Sequence, residues 1–251
     1  MGSDTAAARY AMNLGLPVTG CRLRVSRRAR HGHIRVIDQG IIELVIPDGW
    51  NFAVVEQMIA ENRQWLQQQL TLAEQRRREN PQRFQPLPER IDFRAVDECW
   101  QVHYVDDAGR ARLEADHTAV EKQIVVYAAS QPLRQKLLRT WFARKAAYHL
   151  KPWLARISTG TGLGYNRVFL RTQKTRWGSC SHRQNISLNR CLLFLAPELV
   201  DYLLVHELCH TLHPNHSQAF WEAVGSFIPD YKGLDRRLNE ANQLVPLWVF
   251  A

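Results

Sequence analysis

The sequence predicts an α+β fold, on three features of its patterning. Strand-like alternation recurs in three blocks, within residues 21–46, 91–128 and 167–192. Helical periodicity occupies 53–78, 132–157 and 197–212. The last helix follows the last strands directly, so strands and helices are segregated rather than strictly alternating. The expected core is a short sheet packed on a helix that carries His206 and His210. An N-terminal hairpin, long helices and a strand-rich block precede it. The division this implies is a flexible tail over 1–19, a β-rich part with one long helix over 20–130, and the core over 131–251.

Residues 21–25, Cys-Arg-Leu-Arg-Val, alternate in a strand-like way. His33–Ile37 and Ile41–Ile46 alternate likewise around Asp38-Gln-Gly40, which predicts a hairpin ended by Pro47-Asp-Gly. From Ala53 to Arg78 the apolar positions Val54, Met58, Trp65, Leu66, Leu70 and Leu72 follow a helical period. Pro81, Pro86 and Pro88 mark a linker. Candidate strands follow at Ile91–Val96, Trp100–Val105, Arg110–Ala115 and Ile124–Ala128, with Asp106–Gly109 as a turn. Leu137, Leu138, Trp141, Phe142, Ala146, Leu150, Trp153 and Leu154 then predict a second long helix from Pro132 to Ile157, both tryptophans belonging to the core. Gly160, Gly162 and Gly164 form a loop that no strand precedes directly, which argues against a phosphate loop. Arg167–Arg171, Thr175–Cys180 and Asn185–Leu192 read as the strands of the core.

The segment Pro197–Leu212 contains His206-Glu207-Leu208-Cys209-His210. On a helix, histidines four residues apart lie about 40° apart around the axis and about 6 Å along it. That spacing lets two imidazoles take adjacent corners of a tetrahedral zinc. Glu207 follows the first histidine directly, beside the metal rather than on it, where it can take a proton from a zinc-bound water. Pro197 suits the first helical position, and Glu198 and Asp201 suit the N-terminal dipole. Pro214 stops the helix. His216, six residues after His210, and His213, seven after His206, compete for the third corner. A segment that folds back reaches that corner more easily, which favours His216. Ser217 can cap a following helix to Phe227, with Phe220, Trp221 and Val224 facing inward. Candidates for a group that stabilises a developing oxyanion are His213, Arg176 and Tyr231. The strand near Thr175–Cys180 can hold an extended peptide, and Gly178 permits close backbone approach or marks a bulge.

Composition narrows the setting. A hydrophobic fraction of 45% over 251 residues is that of an ordinary globular chain. No run of about 18 apolar residues exists, so no membrane span is expected. Residues 1–17 lack the apolar region of a secretory signal. Five cysteines, with no C-x-x-C pair, fit a reduced cytoplasmic protein. Cys180 and Cys209 fall near the histidines in sequence, yet small buried cysteines are commoner than ligands. The net charge is +9, with arginine clusters at 22–30 and 76–78. These imply at most weak, sequence-independent, salt-sensitive contact with nucleic acid. The sequence carries no signal for an oligomeric state.

Taken together, Thr175-Arg-Trp-Gly-Ser-Cys-Ser181, Ile186-Ser-Leu-Asn189, Pro197, Tyr202, the histidine helix and Asn215-His216-Ser217 followed by Phe220-Trp221 resemble the YgjP-like metallopeptidase family. That family is related to the SprT and Wss-type zinc proteases. The resemblance is strongest over 166–231. It implies a zincin-like fold, a bacterial cytoplasmic setting, one catalytic Zn2+ on His206, His210 and His216, and Glu207 as the catalytic residue. The expected function is a zinc-dependent metallopeptidase that acts on a peptide or protein substrate by Glu-assisted attack of zinc-bound water. The alternatives are a nucleic-acid-associated protease of the SprT or Wss type and a non-catalytic zinc-stabilised binding protein.

Overall fold

The computed structural model describes residues 2–37, 40–118 and 121–250 of the chain. The fold is mixed α+β and divides into two compact units, one ending at Phe84 and one beginning at Gln85.

The first unit holds helix α1 (Gly2–Asn13), strands β1 (Gly20–Ser26), β2 (His33–Ile37) and β3 (Ile41–Pro47), and helices α2 (Phe52–Glu61), α3 (Arg63–Glu79) and α4 (Pro81–Phe84). The expected β2–β3 hairpin forms, antiparallel in register Ile34↔Leu44. Asp38 and Gln39 of its turn lie outside the described residues. β1 pairs in parallel with β3, so the sheet order is β1-β3-β2. Where the sequence suggests a loose tail over 1–19, the chain forms α1. Ala7, Ala11, Leu16 and Val18 are buried in this unit's core with Ile42, Leu44, Val55 and Leu66. Short alanines allow that close packing while giving little apolar signal. The single helix expected over 53–78 is broken at Asn62. There the side-chain amide donates to the Met58 carbonyl (2.9 Å), an internal bond that competes with the helix ladder.

The second unit begins with β4 (Arg90–Phe93), β5 (Glu98–Val105), β6 (Arg112–Asp116) and β7 (Lys122–Tyr127), in the order β4-β5-β7-β6. Helix α5 (Gln131–Thr161) follows. Its buried residues Leu138, Phe142, Ala146, Leu150 and Leu154 recur every fourth position, one continuous stripe. Trp141 packs on Phe93 and Trp100. The boundary expected at 130/131 is therefore displaced, because β4, β5 and β7 place Ile91, Phe93, Trp100 and Ile124 in the same core as α5 and the elements after it.

A second sheet comprises β8 (Arg167–Arg171), β9 (Gly178–Cys180) and β10 (Asn185–Asn189), ordered β8-β10-β9. β8 runs parallel to β10 and β9 antiparallel, which leaves β9 at the edge. Helix α6 (Pro197–Cys209) packs against β9 and is followed by α7 (Gln218–Phe227), α8 (Tyr231–Glu240) and two short 3-10 turns. Among the described residues, no helix is long and apolar enough to cross a membrane.

Candidate metal centre

Helix α6 is almost wholly buried. Leu199, Val200, Tyr202, Leu203, Leu204, Val205, Leu208 and Cys209 surround its axis with apolar contact. Such a helix tolerates a carboxylate and two imidazoles only if those groups find partners. It ends at Cys209, short of the expected Leu212. A frayed turn then carries the backbone to His213, whose N–H bonds the Cys209 carbonyl (3.0 Å), ahead of Pro214. The chain doubles back, and the Ser217 hydroxyl caps α7 as expected by accepting from the Phe220 N–H (3.4 Å).

The reversal brings His216 onto the histidines of α6. One ligand atom from each of His206, His210 and His216 lies within 4.8 Å of the others. His206 Nε2 and His216 Nε2 are 3.2 Å apart. The edge of a tetrahedron with arms of about 2.0 Å, the usual zinc–imidazole distance, is about 3.3 Å. These three residues could therefore hold a metal ion. Neither Cys180 nor Cys209 joins the group.

The outer nitrogens are engaged in ways that leave the inner ones free. His210 Nδ1 lies 2.9 Å from the His213 carbonyl oxygen, which can only accept, so Nδ1 bears the proton and Nε2 the lone pair. His213 thus serves the site through its backbone. The Tyr202 hydroxyl donates to Asp235 Oδ1 (2.8 Å), and its oxygen faces His206 Nδ1 at 3.4 Å. That selects the same tautomer for His206. Burial, reinforced by the neighbouring imidazoles, lowers His206 to a pKa of about 3 and His210 below the ordinary histidine value. Both rings are therefore neutral, the form in which imidazole binds metal.

Phe220 wedges against the cluster, stacked on His210 at 4.3 Å. Trp221 covers His216 and stacks in turn on Tyr231. Of the candidates for oxyanion contact, Tyr231 thus reaches the site's wall through Trp221. Arg176 is exposed on the loop before β9, its carbonyl held by Asn189 Nδ2 (2.8 Å).

Glu207 is 4% exposed, and its Oε2 has no hydrogen-bond partner among the described residues. Burial alone pushes its carboxyl up to about 8. A divalent cation nearby would draw it back down. The roof over this carboxylate is β9. A methyl group on Gly178 would lie within 3 Å of Glu207 Oε1, Cδ and Cγ. The glycine thus admits the glutamate, a more specific role than the general close approach its position in the strand suggests. Asn189, 3% exposed, fixes the loop that delivers β9 by donating to the carbonyls of Gln173 (2.7 Å) and Arg176 (2.8 Å). Trp177 anchors it further through the Leu238 carbonyl (3.1 Å).

Sequence reasoning missed Asp235, which no local motif marks, and the structural use of Asn189, whose signal was its place at the end of Ile186-Ser-Leu-Asn189.

Among solved structures the chain is similar to the metallopeptidase zymogen abylysin of Pyrococcus abyssi, with 26% identity over 36% of this chain and 90% of that one, at a TM-score of 0.33. It is also similar to the metallopeptidase zymogen jannalysin of Methanocaldococcus jannaschii, with 17% identity over 36% and 94% of the two chains, again at 0.33. A comparison with curated proteins gives no match. The family model of the YgjP-like metallopeptidase domain matches residues 30–241, most of the chain, and on that match the protein belongs to the YgjP-like family.

Proposed function

We propose that this protein is a zinc-dependent peptidase with a zincin-like core, in which His206, His210 and His216 hold one Zn2+ and Glu207 is the catalytic base. The observation that carries the reading is the convergence of three imidazoles beside a buried carboxylate whose Oε2 has no hydrogen-bond partner among the described residues. A donor set of three imidazoles, without thiolate or carboxylate, suits zinc and leaves a fourth position open. Bound there, zinc would supply a Lewis acid for a peptide carbonyl and would acidify a water molecule. Glu207 accepts the proton of the attacking water and returns it to the leaving amine. Tyr202, Asp235 and the His213 carbonyl hold the two helix histidines in the tautomer the role requires. The open side of β9 offers backbone groups to an extended peptide, which supports a substrate path along this edge.

A purely structural metal site has no use for Glu207. Its burial without a partner disfavours the charged form and costs stability, which a catalytic role explains and a binding-only role does not.

Metal analysis of purified wild type and Glu207→Gln, alongside hydrolysis of an unfolded protein substrate, tests the proposal. Both should carry one zinc per chain, and only the wild type should cleave. A Glu207→Gln variant that still cleaves, or a wild type that binds no metal, rejects it.

A further inference from the structure

Helix α5 carries a face of cations beside its buried stripe. Lys136, Arg139 and Arg144 from this helix meet Lys174 from the loop after β8 and Arg190 from the 3-10 turn after β10 around one cavity of about 730 Å3. Among the described residues, no carboxylate lines it. Among the described residues none of the five makes an ion pair, although other arginines of this unit, such as Arg112, Arg134 and Arg237, do. Arg139 and Arg190 are half-buried, and each has a buried guanidinium nitrogen, Nη1 and Nε respectively, without a hydrogen-bond partner among the described residues. Arg190 Nη1 donates weakly to Thr172 Oγ1 (3.4 Å), which leaves the threonine proton free to be donated. Lys174 sits over the Phe250 ring, 5.5 Å from its centre.

Gathering five positive charges without a counter-charge is unfavourable by mutual repulsion, and withholding guanidinium donors from acceptors adds to it. An anion in the cavity offsets both. Guanidinium forks match tetrahedral oxyanions bidentately, and lysine ammoniums add point charges. One monoanionic carboxylate would neutralise a single charge of five and fill little of the space. We infer that this cavity is a phosphoryl-binding site that takes a ligand carrying two or more phosphate groups. None of its residues belongs to the histidine centre, so the inference stands independently of the peptidase reading.

The test is calorimetric titration of the full chain with inorganic tripolyphosphate at low ionic strength. Saturable binding is expected, weakening steeply as salt rises. Arg139→Met and Arg190→Met keep the apolar stems and remove the forks. Each should weaken binding at least about tenfold, as expected for loss of a charge-assisted bidentate contact. Their thermal midpoints should equal or exceed the wild type's, because each removes an unpaired charge. Arg27→Met, in the first unit, should bind as the wild type does. Tricarballylate, with three carboxylates and less negative charge, should bind at least about tenfold more weakly than tripolyphosphate. An oligothymidylate competitor separates the sources. Displacement of tripolyphosphate assigns the phosphates to nucleic acid, and failure to displace assigns them to a small free ligand; either supports the shared chemistry. No binding to wild type, equal binding by the folded variants, or equal affinity for the tricarboxylate would overturn the assignment.

Discussion

Glu207 lies against the backbone of Gly178 so closely that a β-carbon on the glycine would meet the carboxylate's Cδ at 2.7 Å and its Cγ at 2.8 Å. The contact reaches the stem of the side chain as well as its tip. A substituted residue 178 must therefore displace the whole glutamate. Gly178→Ala should retain zinc, since the three proposed ligands are untouched, while hydrolysis falls about a hundredfold from misplacement of the proposed base by about 1 Å. Metal content and turnover measured on the same preparation decide the matter. Wild-type turnover in this variant would show that the glutamate can move without consequence, and would count against its role as base.

The proposed third ligand rests on the reversal at Pro214. His216 presents Nε2 to His206, whereas His213 gives its carbonyl to His210. His216→Ala should weaken zinc binding by more than the roughly 10–100-fold typical of groups behind a ligand. His213→Ala keeps the carbonyl and should leave affinity within about threefold, since the backbone bond survives. Competition with a chromophoric chelator measures both. A His213→Ala variant that loses its metal while His216→Ala keeps it would reverse the assignment.

Tyr202 and Asp235 form a chain to His206 through bonds of 2.8 and 3.4 Å. Burial and the neighbouring Asp235 push the Tyr202 hydroxyl well above the ordinary tyrosine value, so it remains a proton donor to the carboxylate. Tyr202→Phe and Asp235→Asn should each lower zinc affinity about 10–100-fold. The double variant should lose little more than the worse single one, because the residues act in series. Additive losses in the chelator assay would show that they act separately.

Much of the candidate metal centre is legible in the sequence because its parts are local. The four-residue spacing of His206 and His210 fixes their shared face on any helix, and Pro214 followed by Ser217 marks a turn and a cap. The fold is legible where periodicity is strong, as in α5 and β5. What stays hidden depends on distant segments. Tyr202 and Asp235 are 33 residues apart and no periodicity joins them. The cations around Arg139 and Arg190 come from three elements and form no run, whereas the arginine runs at 22–30 and 76–78 are visible and draw attention elsewhere. Helix α1 is hidden because its buried side chains include small alanines.

The strand-rich block is tied to α5 by a buried charge cluster. Glu98, whose side chain is 12% exposed, accepts from Lys145 (2.7 Å), Lys122 (3.1 Å) and the Trp100 indole (2.9 Å). Burial alone would raise its carboxyl, but Lys145, Trp100 and Lys122 together bring it down to about 2. Lys145 is itself only 7% exposed, so Glu98→Gln would leave a buried ammonium without its counter-charge. That should cost about 3 kcal/mol at neutral pH. The folded pKa is depressed, so the stability the carboxylate contributes is fully present above its unfolded value near 4.5. It is lost as the pH falls through about 2. The gap between wild type and variant should therefore be constant from pH 7 to 5 and close between about 4.5 and 2. Urea unfolding followed by tryptophan fluorescence across that range gives the gap directly. A gap that persists unchanged to pH 2 would mean that the variant loses packing or hydrogen bonding rather than the charge of Glu98.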